Sequence, residues 1–282
     1  MTVLTCGDRI LDLSEPVVMG ILNATPDSFS DGGQLLQQGR VNIDAVLTRA
    51  EQMIRAGAQI LDVGGESTRP GATPVVVDEE LQRVIPVVEA IAREFDVVIS
   101  VDTSSPEVMT ASAEAGAGLL NDIRSFHREG ALLAAVSSGL PVCIMHMQGD
   151  PQTMQNKPAY ESVVDEVMDF LLTRSDELQA AGIPKDQILF DPGYGFGKTP
   201  EHNLQLIRRL PEIVAAGYPV LAGLSRKSVI GHVLNRKVDE RLAGSVSAAL
   251  LAAQSGAKIL RVHDVEETVD VLKFWQAVAA AE

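Results

Sequence analysis

The sequence of 282 residues has little cysteine, few positive charges and no long apolar run. Its two cysteines, Cys6 and Cys143, are far apart and lack metal-ligand spacing, so a reducing compartment is expected. Lys and Arg total 23 against 38 Asp and Glu, a formal net charge of −15. That balance argues against nucleic acid or an anionic membrane as partner, and any anionic ligand must be met by locally concentrated cations. No stretch can span a bilayer, and the opening M-T-V-L-T-C-G-D-R has no apolar leader core, so a cytoplasmic protein is expected. Nucleotide loops are missing as well. Gly197-Lys198-Thr199 has Pro192 where a Walker A loop needs glycine, and no G-x-G-x-x-G follows a strand.

What is present is alternation, in a composition (46% apolar, 22% charged) ordinary for a globular chain. Short apolar runs predict buried strands at Val17–Leu22, Gln59–Val63, Val97–Val101, Gly118–Leu120, Val142–Met145, Ile188–Phe190, Val220–Leu224 and Lys258–Val262. Between them lie stretches of helical period. One places Val46, Ala50 and Met53 on one face, and another aligns Val84, Val88 and Ile91 with Pro86 set to kink it. A long helix is expected at about Tyr160–Ala181 and a last one at Glu266–Ala280. β-prone pieces around Gly7-Asp8 predict a hairpin at the start. Eight strand–helix units without a low-complexity linker predict an α/β fold: a single (β/α)8 TIM barrel over residues 1–282, with a short N-terminal β-hairpin. An open doubly wound sheet is the alternative. The connection from Ala24 to about Arg40 is long for such a fold, and loops of that length are usually functional.

The strands share an ending. Ile188-Leu189-Phe190 runs into Asp191, and Pro192, Gly193, Gly195 and Gly197 then let the backbone turn tightly against a ligand. A charge at the end of a buried strand is costly unless paired. In a barrel, Asn23, Asp62, Asp102, Asn121, His146, Asp191, Lys227, Arg261 and His263 meet at one face. Taken singly, Asp62 and Asp122 read as turn or cap residues and His146 as a satisfied core histidine. Together they make a polar cup suited to a flat heterocycle rich in N–H donors, with Arg261 and His263 suited to a phosphate.

Seven segments carry a more specific signal: I-L-N-A-T-P-D-S-F-S-D-G-G (21–33), D-V-G-G-E-S-T-R-P-G (62–71), S-V-D-T-S (100–104), N-D-I-R (121–124), F-D-P-G-Y-G-F-G-K (190–198), L-S-R-K-S (224–228) and R-V-H-D (261–264). Together, and in this order, they closely resemble the dihydropteroate synthase family over essentially the whole chain. The resemblance implies an enzyme of folate synthesis and a sulfonamide target. It joins 6-hydroxymethyl-7,8-dihydropterin pyrophosphate to 4-aminobenzoate and releases pyrophosphate with Mg²⁺. It also implies the site. Asp102, Asn121, Asp191 and Lys227 line the pterin pocket, Met145 and Phe196 form an apolar wall, and Arg261 stacks on the ring. Arg261 and His263 hold the pyrophosphate, and Asn23 is the protein ligand of Mg²⁺. Ser228 stands among the substrate-binding residues. Thr68 and Arg69 belong to a mobile second loop, and Phe29, Arg69 and Pro70 close over the aminobenzoate. Asp102, Lys227 and Arg69 are the catalytic set. A homodimer follows by analogy, with the apolar Val246–Ala253 and Val269–Ala280 as its interface.

Three other readings compete. A pterin-binding methyltransferase of the same fold has no use for the segments at 24–33 and 66–71. A non-catalytic pterin-binding module leaves Asn23, Arg261 and His263 without a leaving group to hold. A Schiff-base aldolase wants an isolated lysine in an apolar pocket, whereas Lys227 sits in Ser-Arg-Lys-Ser.

Overall fold

The computed structural model describes residues 3–24, 36–37, 40–67, 75–150 and 153–281. The chain opens with an antiparallel hairpin, β1 (Val3–Cys6) and β2 (Arg9–Asp12), turned at Gly7 with a φ of 65°. β3 (Val17–Asn23) follows, then the small pair β4 (Leu36–Gln37) and β5 (Arg40–Val41). Strand–helix alternation then runs to the end: α1 (Ile43–Arg55), β6 (Ile60–Gly64), α2 (Val77–Glu94), β7 (Val98–Asp102), α3 (Pro106–Glu114), β8 (Leu119–Asp122) and α4 (Ala131–Ser138). It continues through β9 (Val142–Met145), α5 (Val163–Ala180), β10 (Ile188–Asp191), α6 (Pro200–Arg208), α7 (Leu210–Val214), β11 (Leu221–Ala222), α8 (Ser228–Leu234), α9 (Leu242–Gln254), β12 (Ile259–Val262) and α10 (Val265–Ala279).

β3, β6, β7, β8, β9 and β10 are parallel neighbours in that order, and β12 and then β11 extend the sheet from the other side of β3. A parallel bridge between Phe190 and Val220, with Phe190 N–H donating to Pro219 at 3.0 Å, brings the two ends together. The result is the expected (β/α)8 barrel with its hairpin. The open doubly wound alternative fails because its edge strands would not meet.

Differences from the expected boundaries have local causes. β11 keeps only Leu221 and Ala222, because Val220 is spent on the bridge to Phe190 and Gly223 follows. The helix expected near His202–Leu210 starts earlier, at Pro200, where Thr199 accepts from His202 N–H and a proline suits the first turn. α2 runs through Pro86 as one element of 18 residues.

Strand parity sorts the interior. Leu61, Val63, Ile99, Val101, Leu120 and Ile144 pack outward under the helices, in one large core. Ile60, Val98, Leu119, Cys143, Leu189 and Ile259 point inward and join Leu4, Cys6, Leu11 and Leu13 of the hairpin. The hairpin therefore plugs the N-terminal end of the barrel. One pleat further along the strands, the inward positions become Asp62, Ser100, Asn121, Asp191 and Arg261. An apolar floor thus gives way to a polar layer at the C-terminal ends.

Candidate active site

Arg261 stands at the middle of this layer. Its Nε donates to Asp62 Oδ2 at 2.6 Å and its Nη2 to Asp102 Oδ2 at 2.9 Å. Asp62, fully buried, also accepts from Ser100 Oγ at 2.5 Å, with Asn121 Nδ2 3.5 Å from both of its oxygens. Burial works against the Arg261 cation, but Asp62 and Asp102 outweigh it and raise its pKa above the ordinary value. Asp102 moves the other way. Burial pushes it up to about 7, Arg261 opposes, and Asp62, Asp122 and Glu80 add to the rise.

Asp191 accepts from Gly193 N–H at 2.7 Å. Burial raises its pKa, while that N–H, Lys227, Arg261 and Lys198 pull it back down. Lys227 Nζ lies 4.2 Å from the centroid of the Phe196 ring, and its aliphatic stem runs beside Gly195. Burial and Arg261 lower Lys227 to about 8, against Asp191 and Asp102. Phe196 and Met145 pack with Ile123 and Met154 in one apolar cluster beside these charges. Ser228 is exposed at the first position of α8, next to Lys227. His263 follows β12, and its Nδ1 lies 3.0 Å from Ser225 Oγ. Burial, then Arg226 and Arg261, lower His263 to about 3, so the ring is neutral. Behind it, Arg226 pairs with Asp264 at 2.5 Å.

Asn23 ends β3 in register with Gly64, which is in register with Asp102, itself opposite Asn121. A Cβ at Gly64 would stand 3.5 Å from Asn23 Oδ1 and 3.6 Å from Asp102 Cβ, so the glycine leaves a cradle between them. Among the described residues no group of three or more His, Cys, Asp and Glu is arranged for a metal. One amide oxygen over a glycine cradle is a poor protein cage. It fits a hard cation that keeps water and phosphate oxygens in its shell.

The structure thus brings together Asn23, Asp102, Asn121, Met145, Asp191, Phe196, Lys227, Arg261 and His263, with Ser228 at the rim. Phe29, Thr68, Arg69 and Pro70 lie outside the described residues. Two carboxylates separate cleanly. Asp62 faces the interior as a partner of Arg261, whereas Asp122 faces outward and accepts from Ser104, from Arg124 N–H at 2.8 Å and from Phe126 N–H at 2.6 Å. Asp122 is therefore a turn carboxylate. His146 is not a cup residue, because its Nδ1 lies 2.9 Å from Lys198 Nζ beneath the loop after β10. Ser225 was not singled out from the sequence and Lys198 entered only as part of a rejected Walker A loop, although both fall inside the quoted segments.

A parallel barrel whose open end holds carboxylates, an amide and cations around one arginine is built to grip a flat polar ring. Residues 19–263 match the family of pterin binding enzymes. The dihydropteroate synthase of Haemophilus influenzae is 54% identical over 278 residues, covering 99% of each chain. The Yersinia pestis dihydropteroate synthase, in a crystal structure with a sulfonamide drug, superimposes with a TM-score of 0.94 at 50% identity, covering 99% of this chain and 100% of that one. The Xanthomonas albilineans dihydropteroate synthase with 4-aminobenzoic acid gives a TM-score of 0.92 at 49% identity, covering 100% of this chain and 99% of that one. The chain belongs to the dihydropteroate synthase family of transferases.

Proposed function

We propose that this single domain condenses 6-hydroxymethyl-7,8-dihydropterin pyrophosphate with 4-aminobenzoate at the cup around Arg261. The observation that carries the reading is the polar layer itself, in which Asp102, Asn121, Asp191, Lys227 and Arg261 share one end of the barrel above an apolar floor. Asp191 accepts the adjacent N–H groups of the pterin edge, and Asn121 offers both a donor and an acceptor. Met145 and Phe196 flank the ring, and Lys227 donates to its carbonyl side. Arg261 lies against the ring and, with His263, holds the pyrophosphate. Asn23 would be the protein ligand for Mg²⁺, which would neutralise leaving-group charge.

The bond between the pterin methylene and the pyrophosphate oxygen breaks, and its electron pair leaves with pyrophosphate. Asp102 supplies the negative charge that the resulting cation needs. The amine of 4-aminobenzoate then bonds to the methylene and loses a proton. Phe29, Arg69 and Pro70 supply the aminobenzoate side and exclude water, which would otherwise trap the cation, with Thr68 and Ser228 among the substrate-binding residues. The protein works in the cytoplasm as a homodimer. No helix among the described residues is long and apolar enough to cross a membrane. The dimer reading rests on Leu251, Phe274 and Val278, large apolar side chains left exposed on α9 and α10. The test is incubation of the protein with both substrates and Mg²⁺. Formation of 7,8-dihydropteroate and pyrophosphate in equal amounts is expected, and pterin pyrophosphate left intact overturns the reading.

A further inference from the structure

Lys198 ends the glycine-rich loop after β10, and none of the steps above uses it. Its side chain is only 3% exposed. Nζ lies 2.9 Å from Gly193 O, 3.0 Å from Phe196 O, 3.1 Å from His146 O and 2.9 Å from His146 Nδ1. Three carbonyls match the three N–H bonds of an ammonium, with the lone pair of Nδ1 sharing one of them. A neutral amine has two N–H bonds and would give up one of these carbonyls, of which Gly193 O also accepts from Phe196 N–H at 3.1 Å. An ammonium can serve all of these acceptors at once, while burial draws Lys198 down to about 7, with Asp191 opposing and Lys227 adding to the fall. His146 is neutral beside it, lowered to about 3 by burial and by Lys198.

The glycines permit this approach. At Gly193 (φ 68°) a Cβ would collide with the His146 carbonyl, and at Gly197 (φ 61°) with the backbone of Gln148. The loop is thus pressed onto the end of β9, where Lys198 binds the carbonyls of Gly193, Phe196 and His146, while Asn203 and Gln155 hold Gly195 and Tyr160 holds Gly197.

We propose that Lys198 is a positioning residue of the pterin site, clasping residues 193–196 onto β9 and adding a positive charge beside Asp191 through Gly193, whose carbonyl it binds and whose N–H Asp191 accepts. The proposal rests on the assignment of Asp191 to the pterin edge. The charged groups facing Asp191 are Lys198 on its own loop, Lys227 at the start of α8 and Arg261 on β12. Asp62 and Asp102 bear on it through their shared pairing with Arg261, and Cys143 and Tyr194 beside it are neutral, their pKa values raised by burial.

The test is calorimetry of 6-hydroxymethylpterin binding between about pH 5.5 and 9, with wild type, Lys198→Gln and Lys198→Met. Gln keeps N–H donors for two carbonyls but carries no charge. Its affinity should fall on the acid side about one pH unit earlier than wild type, roughly tenfold at a fixed pH there, and rejoin wild type above about pH 8. Met removes every donor and should weaken binding at all pH values. Superimposable acid limbs for wild type and Gln overturn the proposal, as does a loss in both variants that is uniform with pH. Should neither variant fold, ¹⁵N spectroscopy of the wild-type lysine decides. A slowly exchanging ammonium at about pH 6 supports the clasp, and a neutral amine at that pH overturns it. A wild type that binds no pterin at any pH defeats the assignment of Asp191 instead.

Discussion

The Ser225 hydroxyl has to serve two groups of one residue, since His263 N–H donates to it at 3.2 Å and His263 Nδ1 lies 3.0 Å away. If it accepted from both, its own hydrogen would have no partner among the described residues. Donating to Nδ1 satisfies every atom and places the ring proton on Nε2, where it can meet an anion. Wild-type ¹⁵N spectra should therefore show the Nε2–H tautomer. Ser225→Ala should mix the tautomers and lower kcat about fivefold, the equivalent of one ordinary hydrogen bond of about 1 kcal/mol, while Ser225→Thr retains both. An Nδ1–H tautomer in the wild type would refute this. Asp102 makes a second prediction, about charge. Its carboxyl is pushed up to about 7, so the anion forms only as pH rises through that value. If the anion stabilises the pterin cation, single-turnover rates should climb from about pH 5.5 to 8. In Asp102→Asn they should stay flat and about 10²-fold lower, with a smaller loss of pterin affinity. Equal losses of rate and affinity would make Asp102 a ground-state acceptor.

Two elements at opposite ends of the barrel should respond differently to small substitutions. Leu13, just past β2, is fully buried in the floor, so Leu13→Ala should cost about 3 kcal/mol in denaturant unfolding and leave the KM for the pterin unchanged. Gly193→Ala forces a Cβ into the His146 carbonyl at a positive φ. It should raise that KM at least tenfold while shifting the unfolding midpoint less than Leu13→Ala does. The reverse pattern would mean that the loop after β10 is a stability element rather than a site element. The order of elements was legible because each strand is a short apolar run closed by turn residues, as at Val142–Met145, where expectation and structure coincide. Which strand-end carboxylate faces inward was not legible. These strands are buried on both sides, so an apolar run does not say which side its terminal carboxylate faces. Asp62 follows Leu61 and Asp122 follows Asn121, and only the register with neighbouring strands shows which side each one takes. Lys198 was hidden for a related reason. A lysine after glycines reads as solvated until the end of β9 and the 193–196 turn are placed around it.

The whole molecule carries a formal charge of −15, yet Lys198, Lys227 and Arg261 are gathered at one end of the barrel, where an anionic pterin substrate needs them. The same charge bears on assembly, because two copies of so acidic a chain repel one another. Contact between them must be carried by apolar surface, and it is available: Phe274 is 74% exposed, Val278 lies one turn further along α10, and Leu251 is 51% exposed on the adjacent α9. A two-fold arrangement lets this one patch cover itself. Sedimentation at about 10 µM chain should therefore find a dimer, and raising the salt from about 50 to 300 mM should tighten it by screening the repulsion. A contact made of ion pairs would weaken instead. Replacing Leu251 and Phe274 together by Glu adds four charges across the axis and should give monomers. Their kcat per chain should match the wild type, since neither residue belongs to the cup. A wild type that sediments as a monomer, or a double variant that remains dimeric, would show that α9 and α10 are not the interface.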